Sequence, residues 1–403
     1  MRWAVLLLVT YSFTSLHAQD WPQWLGPQRT GAINAVIAPW TGPLKVAWQC
    51  PVGEGHSAPI VAEGKVFLHT KAEDQDNELL TAWDLAGKQL WQASNPRGPF
   101  KSEFGVGPRA TPAYSQGKIY SLGVTGLLYC RDAATGKAIW SKNILDDFKA
   151  KNLFFGTSSS PLVDDKNVYL MPGGPEASIV AFNKENGQLV WKSGSDKASY
   201  SSPTSTTIGD KTYLIFQTER GVVGLQPADG KEVFRIALKD LLNESSTTPV
   251  RVGEMLFASS VTFGSMGIKL GTLDGLPAAT QGWKNNKLTC YFGTPVEFDG
   301  KLYAVTGQIM KPTATLQCID PLTGNSLWKK PGVGTYHATL YRTKNMLLML
   351  EEKGDLVLLE PNDKEYKEIA RAKVCGHTWA HPAYADGLFI VRDGKELKAI
   401  QLK

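Results

Sequence analysis

The chain has 403 residues and a formal net charge of +5, without any run of basic residues. A charge this mild over this length gives no electrostatic footprint for nucleic acid, so we exclude nucleic-acid binding. Hydrophobic residues at 42% and charged residues at 20% are normal for a folded globular protein and exclude disorder. The 39 glycines, 23 prolines and 12 tryptophans, with no sustained helical periodicity, predict an all-β fold.

Residues 1–19 have the pattern of an export signal. Arg2 supplies the positive start, residues 3–9 open an apolar core, and residues 16–18 (Leu-His-Ala) resemble a cleavage site. The alternative, a membrane anchor, needs a longer apolar run than this one to span a bilayer. The pattern therefore predicts a periplasmic or secreted protein without a membrane span once the signal is removed.

Residues 20–44 follow the signal as a separate segment, the arm. It contains Trp21, Pro22, Trp24, Gly26 and Pro27, and this spacing of aromatic and turn residues predicts an ordered arm packed against a larger body. A ligand site in the arm is the alternative to simple packing.

Residues 45–403 repeat one pattern of short strands. A typical unit begins with small residues and a Pro, continues as strands separated by Gly-Lys turns, and ends with a Thr-Gly hairpin and a Trp. The units begin 42 to 53 residues apart, at Pro59, Pro112, Pro161, Pro203, Pro249, Pro295, Thr339 and Pro382. A period in this range with about four strands per unit predicts an eight-bladed β-propeller of four-stranded antiparallel blades.

The eighth unit lacks its last strand, the one that carries the Trp. A matching strand, residues 45–49 with Trp48, stands at the other end of the chain, just before the first unit. We therefore expect the N-terminal strand to complete the last blade and close the ring, because closure removes an unpaired sheet edge.

An aromatic residue recurs near the end of each unit. We expect each ring to lie on the outer strand and pack between neighbouring blades rather than bind a cofactor. The eight residues are Trp48, Trp91, Trp140, Trp191, Phe234, Trp283, Trp328 and Tyr366.

The hairpins Arg131–Trp140 and Ile319–Trp328 resemble the repeat of the pyrroloquinoline quinone (PQQ) propeller family, and Ala82–Trp91 and Ala181–Trp191 are looser copies. The arm resembles the segment that precedes exported bacterial propellers described as PQQ-binding-like. The resemblance implies one of two functions. Dehydrogenases of the family bind PQQ and Ca²⁺ over the propeller axis and commonly carry two adjacent cysteines, whereas no two of the five cysteines here are adjacent. A non-enzymatic group binds partner proteins through loops on one face.

The loops that lead into the innermost strands, hereafter the inner-strand loops, converge on the axis of a propeller. Four of the five histidines after the signal fall in these loops, which suggests a polar axial pocket for an anionic or quinone-like ligand. The candidate pocket residues are His56, Arg109, Arg220, His337, Trp379 and His381. The alternative is that these side chains cap strand ends or hold water. His377 could join His337 and His381 around a metal, but without an identifiable carboxylate ligand we predict no metal site.

No catalytic constellation is recognisable, so the leading hypothesis is an exported, monomeric scaffold. Such a propeller would bind envelope proteins through loops on one face and would need no cofactor. The alternative is a PQQ- and Ca²⁺-dependent alcohol or sugar dehydrogenase that holds its quinone near Arg109 and Trp379.

Overall fold

A computed structural model describes residues 20–73, 75–308 and 311–402. The signal peptide expected at residues 1–19 lies outside these described residues. The described chain forms eight four-stranded antiparallel sheets and one short helix, α1 (Ile144–Asp147). In this described part, no helix is long and apolar enough to cross a membrane.

The blades follow the chain in order, each from its inner to its outer strand, and β1 (Val46–Pro51) belongs to the last of them. Blades 1 to 4 are β2 (Ile60–Ala62), β3 (Lys65–Lys71), β4 (Asn77–Asp84), β5 (Gln89–Pro96); β6 (Ala113–Ser115), β7 (Lys118–Leu122), β8 (Leu127–Asp132), β9 (Ala138–Asn143); β10 (Leu162–Val163), β11 (Asn167–Leu170), β12 (Ile179–Asn183), β13 (Leu189–Ser193); and β14 (Thr204–Ile208), β15 (Lys211–Gln217), β16 (Gly221–Leu225), β17 (Glu232–Ala237).

The second half repeats this plan with two longer hairpins. Blades 5 to 8 are β18 (Val250–Val252), β19 (Met255–Ser260), β20 (Gly264–Leu273), β21 (Leu276–Asn285); β22 (Val296–Phe298), β23 (Lys301–Gln308), β24 (Lys311–Ile319), β25 (Ser326–Gly334); β26 (Ala338–Arg342), β27 (Leu347–Glu351), β28 (Asp355–Leu359), β29 (Glu368–Lys373); and β30 (Ala383–Ala385), β31 (Leu388–Arg392), β32 (Glu396–Gln401) with β1. The predicted eight-bladed propeller is confirmed.

The ring closes through strand β1, as the sequence predicts. β1 pairs antiparallel with β32, with Trp48 opposite Ala399 and Cys50 opposite Leu397. The backbone N–H of Gln401 also donates to the carbonyl of Lys45 at 2.8 Å. Blade 8 therefore takes three strands from the end of the chain and its outer strand from the beginning.

Outer-strand tryptophans join six of the eight blades to the next blade. Trp140 on β9 donates its indole N–H to the carbonyl of Lys184 in blade 3, at 3.0 Å. Five other tryptophans repeat this bond to the equivalent turn of the following blade: Trp48 to Leu85, Trp91 to Ala133, Trp191 to Pro227, Trp283 to Pro321 and Trp328 to Asn362, at 2.8 to 3.1 Å. The expected packing between blades is thus accompanied by a repeated hydrogen bond.

The expectation for Tyr366 is wrong. Tyr366 lies before β29, in the turn that receives Trp328, and their ring centroids are 6.3 Å apart. By register, the position equivalent to the tryptophans in blade 7 is Ala370, which pairs with Leu358 as Trp328 pairs with Cys318. The physical reason is that blade 8 takes its outer strand from β1, so no hairpin turn stands there to receive a tryptophan.

Hydroxyl groups link the blades around the axis. In units 2, 3, 4 and 6, the residue before the Pro accepts a bond from a backbone N–H of the preceding blade: Ala58 donates to Thr111, Thr111 to Ser160, Ser160 to Ser202, and Thr248 to Thr294, at 2.9 to 3.3 Å. These short polar side chains therefore satisfy buried backbone groups where the inner strands begin.

Strand order gives the propeller two distinct faces. The inner-strand loops and the turns between the second and third strands of each blade lie on one face, which we call the pocket face. The other two kinds of turn lie on the opposite face, which we call the arm face.

Candidate functional site

A cavity of about 140 Å³ lies at the axis on the pocket face. Side chains from the inner-strand loops of several blades and one residue of the arm surround it. The lining residues are Trp24, His56, Phe104, Arg109, Phe155, Ser158, Ser160, Tyr200, Ser202, Ser246, Phe292, His337, Trp379 and His381.

Five of the six candidate residues therefore meet in one pocket, namely His56, Arg109, His337, Trp379 and His381. Arg220 does not line it. Arg220 lies in the turn between β15 and β16, its side chain is 68% exposed, and its Nε stands 3.8 Å from Asp196 Oδ1. Arg220 therefore lies on the pocket face, but the turn between the second and third strands of a blade is farther from the axis than its inner-strand loop.

The arm closes the channel from the arm face. Trp21 pairs through its backbone with Val61 of blade 1, and Ile33 donates its N–H to Arg342 of blade 7. Between them the chain turns within the channel, where Arg29 is 5% exposed and donates to the carbonyls of Pro161 and Ser160 at 2.8 and 3.2 Å. The arm is a plug with a buried tip.

Trp24 at this tip forms part of the pocket. Its ring centroid lies 4.2 Å from that of His381, and its indole N–H donates to Thr248 Oγ1 at 3.0 Å. The sequence analysis gave two alternatives for the arm, packing against the propeller or forming a ligand site. Trp24 does the first and also lines the pocket.

Aromatic rings form most of the remaining wall. Phe292 stacks on Trp379 with centroids 5.5 Å apart and planes at 24°. Phe155 meets Tyr200 edge to face at 5.4 Å, and Phe104 meets Phe155 at 5.3 Å. Sequence reasoning missed Phe104, Phe155 and Phe292; for Phe155 and Phe292, the adjacent aromatic pairs in inner-strand loops were the available signal.

The pocket histidines are neutral around neutral pH. Burial lowers the pKa of His337 to about 4, and it also lowers the pKa of His381 well below its usual value. Burial and the nearby Arg109 charge lower the pKa of His56 to about 4. His337 Nε2 lies 3.0 Å from Thr339 Oγ1, while its buried Nδ1 has no hydrogen-bond partner among the described residues.

The Arg109 guanidinium holds the loop that precedes it. It donates to the carbonyls of Gly107 and Gly105 at 2.7 and 2.8 Å, and to that of Phe104 at 3.2 Å. Burial lowers the pKa of Arg109 to about 10, which leaves it charged at neutral pH. Much of its donor capacity is therefore used to order the loop that carries Phe104.

Glu352 holds the opposite wall. Its carboxylate accepts the indole N–H of Trp379 at 2.5 Å and the backbone N–H groups of Thr335 and Tyr336 at 2.6 and 3.1 Å. Burial alone would raise its pKa, but these hydrogen bonds outweigh burial, so the pKa is lowered and the group stays ionised. Trp379 is therefore fixed in orientation.

The fold and the axial pocket define a PQQ-like propeller, and comparison with known proteins agrees. Residues 76–330 match the sequence profile of the PQQ-like family described as outer membrane protein assembly factor BamB. The chain belongs to this family.

Two kinds of curated relative share sequence with the chain. One is the dehydrogenase subunit of alcohol dehydrogenase (quinone) from Komagataeibacter europaeus, which is 27% identical over 44% of this chain. The matched region covers only 26% of that protein. Outer membrane protein assembly factor BamB of Yersinia pestis is 22% identical over 70% of this chain and 71% of that protein.

Solved structures show the same fold in both groups. BamB from Moraxella catarrhalis superposes with a TM-score of 0.64 and 13% identity, over 92% of this chain and 98% of that one. The quinohemoprotein alcohol dehydrogenase from Comamonas testosteroni gives 0.68 and 13%, over 95% and 80%. At this identity the likeness concerns architecture and does not choose between the two functions.

The pocket residues do not fit the PQQ and Ca²⁺ pair of the dehydrogenases. Ca²⁺ requires six to eight oxygen ligands, and among the described residues no group of three or more His, Cys, Asp or Glu side chains could hold a metal ion. The cavity of about 140 Å³ is also smaller than the roughly 300–1,000 Å³ typical of pockets for larger organic ligands.

Proposed function

We propose that this chain is a non-catalytic binding module, exported to the periplasm, that binds partner proteins of the cell envelope as a monomer. Exposed apolar side chains around the pocket mouth carry the proposal. Phe104 is 44% exposed, Phe154 73%, Leu241 79% and Leu242 51%, and they belong to the inner-strand loops that lead into blades 2, 3 and 5. Contiguous apolar surface of this kind is typical of interaction sites.

These side chains form one surface, which we call the rim. Phe104 and Phe154 have ring centroids 6.5 Å apart, and Phe154 and Leu242 line the same groove. By contrast, Leu276 and Leu322 on the arm face are exposed at the tips of separate hairpins. Similarity to BamB over most of its length supports a partner in the cell envelope.

Site-specific photo-cross-linking tests the proposal. A photoreactive amino acid replaces Phe154 or Leu241 on the rim, and in matched controls it replaces Leu276 or Leu322 on the arm face. We expect one discrete adduct in cells from the rim positions and none from the controls. Equal labelling of both faces would contradict a binding surface at the rim.

The second candidate, a PQQ-dependent dehydrogenase, rests on the 27% identity to the Komagataeibacter enzyme. Titration with PQQ and Ca²⁺, followed by tryptophan fluorescence and dye reduction with alcohols or sugars, separates the two functions. Saturable binding with turnover would overturn the non-catalytic proposal.

A further inference from the structure

The pocket and the rim together define the chemistry of the partner. We infer that the axial pocket is an anchor site for one tyrosine side chain, presented by an extended acidic segment of the partner protein. This inference rests on the proposed function, because it specifies what the pocket face binds.

The size of the pocket selects a single ring. A cavity of about 150 Å³ with apolar walls holds one benzene molecule, and the axial pocket is about 140 Å³. Its walls carry the rings of Trp379, Phe292, Phe155 and Tyr200 in stacked and edge-to-face arrangements. Such walls favour an aromatic guest, and aromatic anchors in central pockets contribute much of the free energy of protein–protein binding.

The polar groups of the pocket select a ring with a hydroxyl. The hydroxyls of Ser158 and Ser246 and the guanidinium of Arg109 line the pocket. A phenol both donates and accepts hydrogen bonds, so it can bond to these groups, whereas a phenylalanine ring cannot. A polar group that is buried under a guest without a partner costs about 1–3 kcal/mol, which disfavours a purely apolar ring.

A groove continues outward from the pocket. Tyr200 lines both the pocket and a groove of about 620 Å³ that passes Phe154 and Leu242. A second groove of about 530 Å³ shares Phe154 with the first. The partner residues next to the tyrosine would follow these grooves, which requires an extended chain.

The charges along both grooves indicate an acidic segment. Their walls carry four lysines and two glutamates: Lys101, Lys149, Lys151, Lys197, Glu103 and Glu176. Glu176 is already paired, with Lys192 Nζ at 3.2 Å from its Oε2, and Lys197 Nζ lies 3.6 Å from Glu219 Oε2. Three lysines, Lys101, Lys149 and Lys151, then stand against Glu103. The excess of positive charge complements carboxylates on the partner, and such complementarity favours association and orientation.

The test uses the mature protein and three synthetic probes. The first is the capped peptide Asp-Glu-Tyr-Gly-Asp-Glu, the second has Ala in place of Tyr, and the third is p-cresol, which represents the tyrosine side chain alone. Binding is measured by calorimetry and by the fluorescence of the pocket tryptophans. We expect the tyrosine peptide to bind at least about tenfold more tightly than the alanine peptide, as for a buried anchor, and p-cresol to compete with it.

Variants locate the binding site. Ser246→Leu and Ser158→Leu place a side chain in the pocket and should weaken both the peptide and p-cresol about tenfold or more. Ser141→Leu, on the exposed strand β9, should change neither. Lys149→Glu combined with Lys151→Glu should weaken the peptide and leave p-cresol unaffected. Thermal melts establish that each variant is folded.

The outcomes separate this inference from the proposed function. Equal affinity of the two peptides, or tyrosine binding that survives both pocket-filling variants, would overturn the anchor. If the rim cross-links persist in that case, the binding module stands and only the anchor fails. If the rim cross-links are absent as well, both proposals fail.

Discussion

His337 shows at the scale of one residue how burial and chemistry are linked at the axis. The ring is 2% exposed, and burial lowers its pKa to about 4. In the unfolded chain a histidine titrates near pH 6.5. Between about pH 6.5 and pH 4, His337 is therefore protonated in the unfolded state but neutral in the folded state. The free energy of unfolding falls as the pH falls through this range.

We expect His337→Gln to flatten the pH dependence of stability. Full stability is present above about pH 6.5 and is lost progressively towards pH 4, so this histidine alone costs about 2 kcal/mol at pH 5. Urea unfolding at pH 7.5 and pH 5 measures the difference. The matched control is His377→Gln, because that side chain also belongs to an inner-strand loop on the pocket face but is 65% exposed. An unchanged pH dependence in the His337 variant would contradict the assignment.

The hairpin between the third and fourth strands is the element that joins blades. Its glycine has a positive φ and lies directly against the tryptophan of the preceding blade. At Gly136, φ is 73° and a Cβ would stand 2.5 Å from Trp91 Cε3. The same approach recurs at Gly87, Gly187, Gly230 and Gly324. The repeat therefore retains glycine for backbone conformation and for the space that the ring needs.

Comparing two alanine variants separates these causes. Gly117 also has a positive φ of 77°, but nothing lies within 4 Å of its Cβ position. We expect Gly117→Ala to lower the free energy of unfolding by about 1 kcal/mol through strain, and Gly136→Ala by at least about 2–3 kcal/mol because the ring must also move. Urea unfolding measures both. Equal losses would show that the contact with Trp91 contributes nothing.

One junction between an outer strand and its neighbour, which we call a seam, differs from the others in the ring. β1 is joined to blade 8 through pairing with β32, whereas the outer strand of blade 6 follows its neighbour through a hairpin. Trp48 and Trp328 are both half-buried, and both donate to the next blade, at 2.8 and 2.9 Å. The two outer strands therefore make similar contacts with the next blade, but only that of blade 6 is also joined to its neighbouring strand by a hairpin.

We expect Trp48→Ala to open the ring locally. Amides of β1 and β32 should exchange with solvent at least about tenfold faster than in the parent protein, because β1 detaches in a partial unfolding step. Trp328→Ala is the matched control and should leave the pairing of its covalent hairpin protected. Hydrogen exchange read by mass spectrometry measures both. Equal protection of the two seams would argue against closure as the weak point.

Pattern was sufficient for the architecture because each blade repeats the same local rules. The Pro at the start of seven of the eight units, the hairpin glycine and Trp140 with its equivalents each act within neighbouring strands, so spacing alone predicts eight blades and their closure. The same spacing rule failed at Tyr366. Blade 8 has no hairpin between its third and fourth strands, and this depends on how the whole ring closes.

The site was predictable only in part. The histidines and Arg109 were found because inner-strand loops converge on any propeller axis. Trp24 was not assigned to the pocket, since its position depends on how deeply the arm enters the channel. Arg220 was assigned wrongly to the same group, because a turn on the correct face can still point away from the axis.

The amino-acid sequence by itself determined the number of blades, their order and the strand that closes them, since these follow from short-range spacing repeated along the chain. Only the tertiary structure decided that the arm plugs the channel, that the pocket is the size of one ring, and that the rim of Phe104, Phe154, Leu241 and Leu242 lies at one side of its mouth. These features join residues from distant, non-repeating loops, and no local rule of strand spacing specifies their distances.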